Sequence, residues 1–211
     1  MKLMYNPSKP GELLFPGFVW RSKNNKILLT FDDGPNPDTT EIILRILQKL
    51  NVKALFFLVG NNIKKYPSLT GELLSAGHEF GNHTFNHKNL QFAGNRGIYN
   101  EITNFNKISN EIIGRQTRYF RPPKGRFNFR LSKELKKFGL TNVMWSLLTF
   151  DYKNDLNIVK FAVKNFINSD SIAVFHDSNK SKLIIEDSLE LFADEITKRG
   201  YEFGTPFECL N

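Results

Sequence analysis

The sequence predicts an α/β fold, a parallel sheet whose strands are joined by crossover helices. Short, continuous apolar runs end at Gly, Pro or Asn, as buried strands do. Between them lie longer stretches whose apolar residues recur at helical spacing. The two patterns alternate about seven times, which implies parallel strands with crossover helices. Seven units could close into a barrel or lie open as a doubly wound sheet, and periodicity does not choose between them.

Residues 1–25 are rich in Pro and Gly, with apolar anchors at Leu13, Leu14, Phe15, Phe18, Val19 and Trp20. They read as a segment packing across one end of a domain that spans 26–211. Lys26–Phe31 is a buried strand halted by Asp32-Asp33-Gly34-Pro35. Asp38-Thr39-Thr40-Glu41 is a capping-box signal, and Ile42, Ile43, Ile46, Leu47 and Leu50 form the core face of the helix that follows. Ala54–Val59 is a second strand, and residues 63–76 a helix stopped by Gly77. Residues 78–82 are extended and run into His83. Ile98, Ile102, Phe105, Ile108 and Ile112 mark a long helix. Residues 118–120 are strand-like and end at Arg121-Pro122-Pro123. A helix at 131–138, a strand at 141–145, a helix at 158–167 and a strand at 171–175 follow. A helix at 183–198 and a short strand at 201–203 complete the pattern.

At 211 residues the chain can bury a core of its own. The formal charge of +8 comes from scattered Lys and Arg. Scattered cations serve solubility and do not indicate nucleic-acid binding, although they favour an anionic surface or polymer. Cys209 is the single cysteine, which excludes an intramolecular disulfide; it reads as a near-terminal thiol of no structural weight. No signal sequence is visible and no apolar run could span a bilayer. The expected compartment is therefore the cytoplasm, or the exterior if a leader has been removed. No obligate protein partner is inferred.

The polar residues fall where the apolar runs stop. Asp32 and Asp33 follow the first strand, His83 the third and Arg121 the fourth; Asp151 comes shortly after the fifth, and His176 ends the sixth. In parallel α/β folds these strand ends share one face. Two adjacent carboxylates there need a metal, a cation or a shared proton. His83 and His87, four residues apart, could share one face of a helical turn and bind one ion. Such a pair alone is a weak signal, but three of the four histidines occupy these positions. Asp33, His83 and His87 make a two-His, one-Asp set with open positions, suited to zinc or another divalent transition metal. Such an ion activates water and polarises a carbonyl. The other aspartate could then act as base and His176 as acid. Arg121 could hold Asp32, and Asp151 could orient His176, or Arg121 and Asp151 could form a structural ion pair. His78 reads as structural.

Thr30–Pro35, His83-Thr84-x-x-His87, Arg121-Pro122-Pro123-x-Gly125, Asp151-Tyr152 and Val174-Phe175-His176 resemble the five ordered motifs of the polysaccharide deacetylases. This is the NodB-homology group, carbohydrate esterase family 4, and the match spans about residues 26–203. The resemblance implies an α/β, distorted (β/α)7 barrel with parallel strands and outer helices. It implies metal-dependent hydrolysis of the N-acetyl group of an amino sugar in a chitooligosaccharide, peptidoglycan or related glycan. It makes Asp32 the base, Asp33, His83 and His87 the metal ligands and Arg121 the residue orienting Asp32. The Lys124 N–H becomes an oxyanion donor and His176 the acid, tuned by Asp151. Tyr152, Val174 and Pro123 would line the acyl pocket. The divalent metal would be Zn2+, with Co2+ or Ni2+ as alternatives. Lys124 stands where the family often has Tyr or Phe, Tyr152 where it has Trp, and Leu148 where many members have an acid. Rival readings are an O-acetyl esterase, a deacylase of a lipid-linked or other acylated sugar, and a non-catalytic carbohydrate-binding domain.

Overall fold

The computed structural model describes residues 5–6 and 8–211. The rest of the expected N-terminal segment, residues 1–4 and 7, lies outside the described residues. The elements run α1 (Ser8–Leu14), β1 (Leu28–Asp32), α2 (Thr40–Leu50), β2 (Leu55–Leu58), α3 (Gly60–Lys65), α4 (Pro67–Ser75) and β3 (Glu79–Asn82). There follow α5 (Asn95–Ile112), β4 (Tyr119–Phe120), a 3-10 turn at Pro123–Gly125, α6 (Arg130–Lys137), β5 (Thr141–Asn142) and β6 (Leu147–Leu148). A second 3-10 turn at Asp151–Lys153, α7 (Leu156–Phe166), β7 (Ile172–His176), α8 (Ile185–Lys198) and α9 (Pro206–Leu210) end the chain.

All seven strands are parallel, in the order β5-β4-β3-β2-β1-β7-β6. The edge strands β5 and β6 are consecutive in sequence, so the sheet curls until residues 143–146 alone join its two edges. Val19 fills part of this seam: its N–H donates to Asn142 O at 2.9 Å, and the Met144 N–H donates to Val19 O at 2.7 Å. This is the distorted seven-stranded barrel, and its closure places every strand's C-terminal end around one mouth.

Side chains alternate across the strands. Leu28, Leu55, Phe57, Ile172 and Val174 pack inside the barrel with Trp20, Phe18, Tyr119 and Trp145. Leu29, Phe31, Phe56, Leu58, Phe80, Ala173 and Phe175 pack outward beneath the helices. Cys209 is fully buried at the closed end, its Sγ 3.7 Å from Lys26 O, and burial pushes its thiol up to about 11. It belongs to the core, contrary to the sequence reading. Leu13 and Leu14 are exposed instead of acting as anchors.

Three further expectations change. The helix expected over 63–76 is two helices, because Tyr66 before Pro67 holds φ −127° and ψ 61°, outside the helical region. The capping box at the start of α2 does not form; the Thr39 hydroxyl turns to Asp177. Residues 201–203 make only a single bridge to Ile27, and β6, at 147–148, is the seventh strand. A real capping box, Thr205 with Glu208, starts α9. No helix among the described residues is long and apolar enough to cross a membrane.

Candidate active site

The inward-facing positions of the strands carry the site. Asp32 ends β1 on the same face as Leu28 and Thr30, in register with Phe57 of β2 and His176 of β7. Arg121 follows β4 into the barrel and is fully buried. Its Nη1 donates to Asp32 Oδ1 and Thr30 Oγ1, both at 2.8 Å. Its Nε donates to Val143 O at 2.8 Å and its Nη2 to Met144 O at 2.7 Å. The guanidinium carbon lies 4.1 Å from the Phe57 ring centroid. A buried cation needs this many acceptors. Burial presses its pKa down, and Asp32 resists that shift.

Asp33, His83 and His87 converge beside Asp32. His87 Nε2 is 3.0 Å and His83 Nε2 is 3.6 Å from Asp33 Oδ1. The histidines do not share a helical turn. Residues 83–87 form an irregular loop with Thr84 at φ 67° and His87 at φ 54°, and Asp33 itself has φ 78°. These left-handed conformations are unfavourable for such residues and are retained where the surroundings impose them. The Asn82 side chain accepts the Thr84 N–H at 2.7 Å, and the Asn62 side chain donates to Asp33 O at 2.7 Å. Burial would raise the Asp33 pKa, but hydrogen bonds from the two imidazoles and the charge of His176 hold it well below the usual range.

The three side chains fit a metal ion. Ligands about 2.0–2.2 Å from one ion stand roughly 3–3.6 Å apart, which spans the 3.0 and 3.6 Å distances to Asp33. His83 Nδ1 lies 2.8 Å from Arg121 O. A carbonyl can only accept, so Nδ1 carries the proton, and with an ion bound Nε2 would present its lone pair to that ion. One donor atom from each residue falls within 4.8 Å of the others.

Opposite stands His176. Its Nδ1 is 2.7 Å from Asp151 Oδ1, and its backbone N–H donates to Asp151 Oδ2 at 2.7 Å. Burial alone would lower its pKa, but the Asp151 carboxylate outweighs burial, with Asp33 and Asp32 adding, and raises it to about 9. The Tyr152 ring meets the imidazole edge-on at 4.7 Å. A cavity of about 300 Å³ joins these groups; Asp32, Asp33, His83, His87, His176, Tyr152, Val174 and Lys124 all line it. Lys124, at φ 60°, sits in the 3-10 turn after Arg121. Pro123 is buried in that turn and is not among the lining residues.

A sequence model of the polysaccharide deacetylase family matches residues 21–143. The chain is 34% identical over 206 residues to a peptidoglycan-N-acetylglucosamine deacetylase of Bacillus cereus, covering 94% of this chain and 96% of that one. The chain belongs to the polysaccharide deacetylase family. A solved peptidoglycan N-acetylglucosamine deacetylase superposes with a TM-score of 0.85 at 28% identity, covering 90% of this chain and 91% of that one. A mutant of a carbohydrate esterase family 4 pseudoenzyme, with restored enzymatic activity, superposes with a TM-score of 0.82 at 26% identity, covering 93% and 72%.

Within this family fold, sequence reasoning missed Asp177. It is fully buried and accepts the hydroxyls of Thr39 at 2.5 Å and Thr40 at 2.6 Å. Its N–H donates to Asp32 O at 2.8 Å. Burial pushes its carboxyl up to about 7, against the threonine hydrogen bonds. Gly34 must lack a side chain here, because a Cβ would lie 2.2 Å from Asp177 Oδ2. The visible signal was His176-Asp177 together with two threonines lacking an obvious role. Trp145, Arg126 and Lys180 also line the cavity and were missed. Arg126 and Lys180 have no periodic or motif signal, since loops bring them to the mouth. His78 is structural as expected: Nδ1 accepts the Ala54 N–H at 3.2 Å, and burial lowers its pKa to about 4.

Proposed function

We propose that this chain hydrolyses the N-acetyl group of an amino sugar in a peptidoglycan-type or chitin-type glycan, releasing acetate and a free amine. The observation that carries the reading is convergence. A carboxylate held by Arg121, a three-residue metal set and His176, charged by the Asp151 behind it, line one cavity. A pure binding module has no need for all three together.

Asp33, His83 and His87 would hold a divalent ion, with zinc the best match to two His and one Asp and Co2+ or Ni2+ as alternatives. When bound, that ion supplies Lewis-acid polarisation of the acyl oxygen and acidifies water. Asp32, kept in place by Arg121, takes the proton of the attacking water. The Lys124 N–H donates to the oxygen on which charge develops. Asp151 keeps His176 protonated at neutral pH, so that Nε2 can give its proton to the departing nitrogen. An amine leaves readily only when protonated. Tyr152 and Val174 bound the space left for the acetyl methyl.

A second reading concerns the glycan. Lys124, Arg126 and Lys180 line the mouth, and among the described residues none of the three takes part in an ion pair. This favours a sugar carrying a carboxylate or phosphate over a neutral one. The same machinery would serve an O-acetyl ester.

The deciding experiment measures bound metal and acetate release on N-acetylglucosamine oligomers, peptidoglycan fragments and acetylated xylan, before and after chelation. Metal-dependent release from the amino sugars is expected. Release from xylan alone would move the substrate to O-acetyl esters. Bound glycan with no release from any substrate would make the chain a binding protein.

A further inference from the structure

Four large apolar side chains stand almost bare on one part of the surface. Phe92 is 88% exposed, Leu13 83%, Phe129 82% and Leu14 66%. Phe92 lies in the loop between β3 and α5, Phe129 just before α6, and Leu13 and Leu14 at the end of α1. The fold brings these three segments together. The Phe129 ring lies 5.5 Å from that of Phe15, the residue after Leu14. Phe15 in turn stacks at 5.4 Å on Phe18, which is buried in the barrel core. Asn128 joins the other two segments. Its side-chain nitrogen lies 3.0 Å from the carbonyl oxygens of Leu90, Gln91 and Ala93, on both sides of Phe92. Its Oδ1 accepts the Arg130 N–H at 3.0 Å, across Phe129. The backbone beneath the protruding rings is therefore fixed. Single exposed apolar residues need no explanation, but a fixed cluster of them marks an interaction.

The cluster sits among unpaired cations. Residues 88–100 and 122–133, which carry the two phenylalanines, hold six cations and no acidic residue. These are Lys88, Arg96, Lys124, Arg126, Arg130 and Lys133, and among the described residues none of them takes part in an ion pair. Glu12, the acid of α1, is paired with Arg21 Nε at 3.0 Å. Elsewhere the surface cations Arg45, Lys49 and Lys182 are matched by Glu186, Glu190 and Asp38. None of the four apolar residues lines the active-site cavity, so the ligand of that cavity does not account for them.

We propose that this face docks on an anionic phospholipid bilayer, lying at its surface without spanning it. Phe92, Phe129, Leu13 and Leu14 enter the boundary between headgroups and acyl chains, and the surrounding cations meet the lipid phosphates. Apolar tips and unpaired cations together choose this occupant. A second copy of the chain would set the same cations against one another. A soluble anionic polymer would use the cations and leave Leu13 and Leu14 in water. A bilayer with anionic headgroups takes both. Arg126 lines the active-site cavity two residues before Asn128, so docking holds the mouth beside the lipid surface. The proposal concerns where the protein works, and it does not depend on which acyl group the cavity takes.

The test is co-sedimentation with vesicles of phosphatidylcholine alone and of equal parts phosphatidylcholine and phosphatidylglycerol. Wild type is expected to bind the anionic vesicles and not the neutral ones, and to be released as salt rises. Phe92→Ser and Phe129→Ser are each expected to lower the partition coefficient about tenfold. Arg96→Gln combined with Arg130→Gln should lower it as well and flatten the salt dependence. All four residues are exposed, so the thermal midpoint should stay that of wild type. Phe207→Ser is the control, an exposed phenylalanine on α9 near the buried Cys209, and should bind as wild type does. No binding to anionic vesicles, or a loss in the Phe92 and Phe129 variants no greater than in the control, overturns the proposal. Binding that depends on the arginines alone overturns it in favour of an anionic polymer. A wild-type dimer dissociated by Phe92→Ser, with no vesicle binding, overturns it in favour of a second copy. Acetate release from a soluble oligomer is read in parallel and should be unchanged in every variant, because none of the altered residues lines the cavity. Vesicle binding without any acetate release would remove the deacetylase reading and keep the docking face.

Discussion

Asp32 and Asp33 are neighbours with different surroundings. Asp32 sits inside the barrel against the Arg121 guanidinium, whereas the left-handed backbone of Asp33 turns its carboxylate to the two histidines. Asp32→Asn is expected to lower acetate release by at least about a hundredfold, the usual share of a positioned base. Metal content should be unchanged, because Asp33, His83 and His87 remain; parallel loss of metal would show that Asp32 is a ligand. The Asp151–His176 pair has a pH signature. With its pKa raised to about 9, His176 stays protonated below that value, and activity is expected to fall as pH rises through it. The same pair adds stability that is complete below about pH 6.5, the unfolded value, and is lost as pH rises through about 9. Asp151→Asn removes the charge that raises the pKa, so the alkaline limb of kcat/KM should move towards 6.5. An unmoved limb would take the acid role from His176.

At the scale of elements, the start of the helix that follows the Asp pair is tied across the sheet. Thr39 and Thr40 at the start of α2 donate to Asp177, just beyond β7, and Asp177 in turn donates its N–H to Asp32 O. One buried carboxylate thereby ties the strand end that carries Asp32 to the one that carries His176. Asp177→Ala leaves two buried hydroxyls unsatisfied and is expected to cost roughly 1–3 kcal/mol per lost partner. Chemical denaturation would show this as a lower midpoint with an unchanged slope. The turn after Arg121 has its own constraint. Gly125 has φ 62°, and a Cβ would lie 2.4 Å from the Trp145 ring. Gly125→Ala should therefore destabilise the protein by about 1–3 kcal/mol. It should also raise KM, because the turn carries Lys124 at the cavity. A variant as stable as wild type would show that the ring has room to move.

For the whole molecule, seven strand ends face one mouth, and metal binding should be coupled to folding through it. At a hundredfold excess of ion over its Kd, native-state stabilisation is about 2.7 kcal/mol. Thermal unfolding with and without Zn2+ should show a higher midpoint for wild type, and His83→Ala should abolish the difference. An equal shift in that variant would place the ion elsewhere.

The sequence determined the strand–helix alternation, because burial on both faces of a parallel sheet requires continuous apolar runs such as 26–31 and 54–59. It also put Asp32, Asp33, His83, Arg121 and His176 at or just after expected strand ends, which in a parallel sheet share one face. Other features were decided only by tertiary structure. β6 is two residues long, too short to show a period, and exists because Leu147 and Leu148 meet Ala173 and Val174. The two histidines converge through left-handed loop backbone that no residue pattern specifies. Asp177 gained its role from threonines 137 and 138 residues away. Local sequence encodes burial and the turn chemistry of short segments. Closure of the barrel sets which distant polar groups share one desolvated mouth, and that sharing fixes their charges and their partners.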